Sequence, residues 1–120
     1  MKNKDLVRLK HMLDSTKAIL DFVENKERND LDRDRLLLSG IIREFQILGE
    51  AAGKISNQIQ ESFPDLPWKQ LVGMRNRLIH AYFDVDKEII WVTIKNNLPD
   101  FCKQLKIVIS QVEAGEKGLV

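Results

Sequence analysis

MRNRLIHAYFDVD, residues 74–86, sets two arginines, an asparagine, a histidine and a tyrosine among apolar residues, in a chain that otherwise reads as plain amphipathic helix. At about 100° per residue with Leu71 at the origin, Met74, Leu78 and Tyr82 fall within roughly 60° of it, and Val72 and Ile79 widen the apolar arc to about 100° on one side. Arg75 lies inside that arc. Gly73, Asn76, Arg77 and His80 occupy the opposite side, with Asn76 and His80 one turn apart. The periodicity predicts a helix that begins near Pro67 or Trp68 and ends around Tyr82.

The helical period continues on both sides of this segment. Leu6, Leu9, Met12, Leu13, Ile19, Leu20, Phe22 and Val23 make one stripe from Lys4 to about Asn25. The charged run NKERNDLDRDR follows as a solvated connector, in which Asn29 or Asp30 caps the next helix. Leu38, Ile41, Ile42, Phe45, Leu48, Ala52, Ile55 and Ile59 then share one face, which predicts an unbroken second helix from about Leu31 to Gln60, roughly 45 Å long. Its small residues in GEAAG, 49–53, allow close approach by a neighbouring helix or a second subunit.

Two prolines in ESFPDLPW, 61–68, stop that helix. After residue 82, DVD supplies a turn and an acidic cap for a fourth helix from about Lys87. Pro99 divides the last part, where Asn96 or Asn97 caps a fifth helix carrying Phe101, Leu105, Val108, Ile109 and Val112. The tail from Gly115 is expected to fray. IIWVTI, 89–94, is rich in β-formers, but its polar flanks suit a buried helix between two caps. The expectation is an all-α protein, a four- to five-helix bundle forming one domain over residues 1–120.

Composition limits the functions open to such a bundle. With 43% apolar and 31% charged residues, 6 Gly and 3 Pro, the chain has a globular composition. Its 19 basic and 18 acidic side chains nearly cancel, so a polyanion partner must be held locally. The single Cys102 rules out an intramolecular disulfide or a cysteine zinc cluster and reads as a small buried residue. No segment reaches the roughly 18 apolar residues a membrane helix needs, so a soluble cytoplasmic protein without a membrane partner is expected.

Arg75 is the residue that composition does not explain. A guanidinium taken out of water costs several kcal/mol unless an anion or hydrogen bonds compensate it. Glu50 is one internal candidate; a helix end or a ligand phosphate are others. His11 has no comparable companions and reads as a surface residue.

The run WKQLVGMRNRLIHAYFDVD, 68–86, resembles the HepT-like branch of the HEPN superfamily, whose signature is Arg, four residues, His, any residue, Tyr. Here these are Arg75, His80 and Tyr82. ILGEAAGKIS, 47–56, and IIWVTIKNNLP, 89–99, extend the likeness over roughly residues 41 to 105. The resemblance implies a helical bundle that forms a homodimer with its motif helices facing each other. It also implies a metal-independent endoribonuclease toxin, encoded beside a minimal nucleotidyltransferase antitoxin of the MntA kind. No metal and no cofactor are expected, and the substrate is RNA.

Under that resemblance Arg75 and His80 are the catalytic pair. Asn76 orients the imidazole or the RNA, and Arg77 either contacts backbone phosphate or stays a solvated cation. Tyr82 is either the site of AMP transfer from the antitoxin or a core tyrosine. Two further functions stay open: a non-catalytic HEPN module that binds a nucleotidyltransferase or nucleotide, and a purely structural dimeric bundle. The polar members of the motif favour the nuclease, since neither alternative has a chemical need for them.

Overall fold

A computed structural model describes residues 3–80 and 85–116. Among them are seven helices and no strand: α1 (Asn3–Phe22), α2 (Asp30–Arg33), α3 (Arg35–Gly53), α4 (Asn57–Ser62), α5 (Trp68–His80), α6 (Lys87–Asn96) and α7 (Leu98–Glu116). The protein is an all-α bundle. α3 packs against α1 on one side and α5 on another, α7 packs against α1, and α6 lies along α7.

Periodicity set the core. Leu9, Met12 and Ile19 of α1 meet Ile41, Phe45 and Leu48 of α3, and Leu105 of α7 joins the same buried cluster. Thr16 is fully buried, and its hydroxyl is satisfied by donating to the Met12 carbonyl at 2.8 Å, one turn back on α1. Ile90 and Ile94 are buried, so IIWVTI is helical as its flanks suggested. Cys102 is a buried free thiol.

Two expectations are corrected here. The second helix is not continuous from Leu31 to Gln60. It opens with the single turn α2, restarts at Asp34, whose carboxylate accepts from the Leu37 amide at 3.0 Å, and breaks again after Gly53. The second break has a tertiary cause. Ser56 caps α4 by accepting from the Ile59 amide, and Asp5 of α1 accepts from both the Ser56 amide (2.9 Å) and the Ser56 hydroxyl (2.7 Å). Arg8, also on α1, donates to the Lys54 carbonyl at 3.0 Å. Together they compensate the backbone groups that a continuous helix would have paired internally.

The charged connector is also more ordered than a solvated turn. Asn25 turns the chain in the left-handed region (φ 63°), a conformation asparagine tolerates better than most residues. Arg28 then pairs with Glu88 at 3.0 Å and with Asp32 at 3.2 Å, while Lys87 pairs with Asp32 at 3.1 Å. The connector is therefore tied to the start of α6. Neither Asn29 nor Asp30 provides the side-chain cap expected of it: Asn29 makes none, and Asp30 accepts from the Glu27 amide instead.

Asp86 caps α6 by accepting from the Ile89 amide at 3.0 Å, as the acidic turn implied. Asn97 both closes α6 and accepts from the Phe101 amide at 3.0 Å, and Pro99 sits in the first turn of α7, where its missing amide costs little. Gly115 and Glu116 remain helical; the rest of the expected frayed tail, 117–120, lies outside the described residues. No helix of the described residues is long and apolar enough to cross a membrane.

Candidate active site

The entry to α5 fixes the frame of the motif. Pro64 and Pro67 hold the preceding segment out of the helical region, and the Trp68 indole N–H donates to the Phe63 carbonyl at 3.0 Å. The Pro67 carbonyl accepts from the Leu71 amide at 3.0 Å and starts the helix. Trp68, Leu71, Met74 and Leu78 are buried, while Asn76 and Arg77 are exposed. This is the arc expected from the wheel, and Arg75 lies half-buried at its edge.

What encloses Arg75 is Gly49 of α3. A Cβ built on Gly49 would collide with the Arg75 Cβ, and would come within 2.6 Å of the Leu71 carbonyl oxygen and 3.2 Å of the Arg75 Cγ. Only hydrogen fits there. Gly53, one turn on, faces Val72 at an ordinary 3.4 Å. The small-residue seam at 49–53 is thus occupied by α5 of the same chain, and it no longer argues for a second subunit.

The guanidinium is held unevenly. Arg75 Nη1 donates to the Asn76 Oδ1 at 3.0 Å, whereas Nε is buried with no hydrogen-bond partner among the described residues. Glu50, one internal candidate for it, is engaged elsewhere: its carboxylate pairs at 3.4 Å with Lys54, the residue that closes α3. The i, i+4 neighbour on its own helix takes the carboxylate. Arg75 is therefore a partly enclosed cation without a carboxylate among the described residues, and its tip, beside the exposed Asn76, is the end that an incoming anion can meet.

His80 is the last residue of α5. On a regular helix, positions 75 and 80 diverge by about 140°, whereas 76 and 80 differ by about 40°. The bond to Asn76 thus draws the tip of Arg75 away from the α3 groove, toward the side on which position 80 stands. The His80 side chain and all of Tyr82 lie outside the described residues.

A second feature was not anticipated. A cleft of about 600 Å³ opens between α1 and α3, where Lys4, Arg8, His11, Glu50 and Lys54 surround an apolar floor that includes Val7. His11 is exposed, as expected, but it has charged neighbours brought from α3 that its local sequence does not reveal.

α5 of this helical bundle carries the half-buried Arg75 five residues before His80, and comparison with known proteins supplies the class. The model of the family described as "Ribonuclease HepT-like" matches residues 12–108. "Putative RNase MJ1380" of Methanocaldococcus jannaschii is 35% identical over 97 residues, which is 81% of this chain and 89% of that protein. "Putative RNase TTE0752" of Caldanaerobacter subterraneus subsp. tengcongensis is 33% identical over 103 residues, 86% of this chain and 92% of that protein. "Probable ribonuclease HepT" of Thermococcus cleftensis is 32% identical over 99 residues, covering 82% and 90%. No solved structure gives a significant match. The chain belongs to the ribonuclease HepT-like family.

Proposed function

We propose that the protein is a metal-independent endoribonuclease toxin, active as a homodimer and neutralised by a nucleotidyltransferase of the MntA kind. The observation that carries this reading is Arg75, a cation whose stem is enclosed by Gly49, whose tip is steered by Asn76, and which has no carboxylate partner among the described residues. Family membership supports the reaction class, since the relatives above carry ribonuclease names.

The chemistry needs only the substrate and these side chains. One imidazole removes the proton from the RNA 2′-hydroxyl, whose oxygen attacks the adjacent phosphorus. The bond from phosphorus to the 5′-oxygen breaks, that oxygen takes a proton from a second imidazole, and a 2′,3′-cyclic phosphate remains. Histidine, with a reference pKa near 6.5, fills either role, and a dimer supplies His80 twice. Arg75 grips the phosphate with its planar fork and stabilises the charge that develops in the phosphorane. The divergence of about 140° between positions 75 and 80 on one helix favours a site composed from two copies. Asn76 steers, and Arg77, exposed on the same helix, holds flanking phosphate.

AMP transfer to Tyr82 is the proposed off-switch. The phenolic oxygen attacks the α-phosphorus of ATP, pyrophosphate leaves, and the phenolic proton passes to solvent. The bulky anion then occupies the neighbourhood of His80 and repels RNA.

Expression of the wild type beside His80→Ala tests the function. Wild-type cells that stop growing and show fragmented RNA, with both effects absent in the variant, support the nuclease. Equal growth and intact RNA in both would leave a non-catalytic binding module in its place.

A further inference from the structure

The geometry points to Gly49 as a positioning residue for the phosphate-binding arginine: it is the one place on α3 where a missing side chain lets the Arg75 stem seat against a neighbouring backbone and aim its guanidinium. The inference rests on the reading of Arg75 given above and deepens it.

Three observations converge on Gly49. It is buried in the α3–α5 contact, and the atoms that a Cβ would strike are the Arg75 Cβ and the Leu71 carbonyl oxygen, neither of them the yielding end of a long side chain. Relief therefore requires α5 to move away from α3 at residue 75, by a distance on the order of 1 Å, since real Cβ atoms do not approach others closer than about 3 Å. Nε of Arg75 is closed off from solvent without a hydrogen bond among the described residues, and the packing against Gly49 is what holds that end of the side chain among them. Nη1 is fixed at the other end by Asn76. A guanidinium pinned at one edge by van der Waals contact and at the other by one hydrogen bond keeps its orientation only while α3 and α5 keep their spacing.

Gly53 provides the contrast. It lies on the same helix face one turn away, yet a Cβ there meets only Val72 Cγ2 at 3.4 Å, an ordinary contact. The two glycines are alike in type and near neighbours, and only one of them adjoins the arginine.

The test compares Gly49→Ala and Gly53→Ala in the full chain, using cleavage of an RNA oligonucleotide and solvent exchange of the Arg75 Nε proton by NMR. Gly49→Ala is expected to lose about 100-fold in kcat/KM, the scale of a misplacement of order 1 Å, and to speed Nε–H exchange to that of exposed arginines. Gly53→Ala is expected to stay within about threefold of wild type, the loss being far below that of a misplaced group. A folded Gly49→Ala protein with wild-type cleavage and a protected Nε–H overturns the proposal. Should Gly49→Ala fail to fold, the wild-type protein decides: an Arg75 Nε–H that exchanges as fast as an exposed arginine overturns it, and a protected one supports it. If Arg75→Ala itself cleaves RNA normally, the nuclease role of Arg75 falls, and the exchange measurement alone judges the positioning.

Discussion

Arg75 donates from Nη1 to the side-chain oxygen of Asn76 at 3.0 Å while its own Nε stays buried, with no partner among the described residues. Adjacent residues on a helix diverge by about 100°, so this bond bends the long arginine around the helix from the buried arc toward the exposed one. The cation is enclosed at its stem and accessible at its tip, the arrangement that suits an anion arriving from solvent.

Asn76→Ala should therefore weaken cleavage without unfolding the protein. The expected loss is about 10-fold in kcat/KM, less than removal of Arg75, because the guanidinium remains but samples more orientations. Stability should change by no more than about 0.5 kcal/mol, since Asn76 is exposed. Steady-state kinetics beside urea unfolding checks both, and an Asn76→Ala variant with wild-type kcat/KM removes the steering role.

The break between α3 and α4 depends on Asp5 and Ser56 acting together. Ser56→Ala removes the cap on α4 and the acceptor-donor pairing with Asp5, and should cost about 1 kcal/mol, with Asp5→Ala costing a similar amount. The double variant should cost clearly less than the sum, because the pair shares one contact. Additive losses in chemical denaturation would show that the two act separately.

The link between the connector and α6 should weaken in acid. The hydrogen bond from Lys87, then the charge of Arg28, holds the Asp32 carboxyl below its ordinary value of 3.8, while its partial desolvation opposes them. The Glu27 backbone amide, helped by Arg33, does the same for Asp30, again against desolvation. A carboxylate with a depressed folded-state pKa stabilises the fold above its unfolded value and loses that contribution as pH falls through the folded one. Asp32→Asn should thus lower the melting temperature at neutral pH. The gap to wild type should close as pH drops below about 3.8. A gap that stays constant through that range would deny the pairing any role in stability.

In solution the chain should behave as a dimer of about twice its 13.9 kDa mass. Leu36, at the start of α3, is 83% exposed, the most open of the large apolar side chains described, and offers area for a second copy. Sedimentation at micromolar concentration that finds monomer alone would count against a composite site.

What was legible in the sequence was what local chemistry decides. Leu71, Met74 and Leu78 announced the buried face of α5, and Asp86 announced the start of α6, because period and cap lie within one segment. The interruption at Lys54 to Ser56 was not legible, since its cause is Asp5, fifty-one residues earlier in sequence. The connector looked solvated because Glu88 and Lys87, which bind it, belong to another helix. Glu50 was legible only as one of several candidate partners for Arg75, and the structure pairs it with Lys54, four residues on. Gly49 was visible as a small residue in a seam, but only tertiary packing identified the Arg75 stem as what fills it.

Cleavage of a short RNA in excess chelator tests the central claim most directly, with a matched substrate carrying 2′-deoxyribose on the 5′ side of the cut, and with His80→Ala and Arg75→Ala beside the wild type. The account predicts that the wild type cuts the RNA at an undiminished rate in chelator and leaves the deoxy substrate whole, that a 2′,3′-cyclic phosphate forms, and that both variants lose cleavage while remaining folded. Loss of activity in chelator, cleavage of the deoxy substrate, or a folded His80→Ala protein with full activity would contradict it.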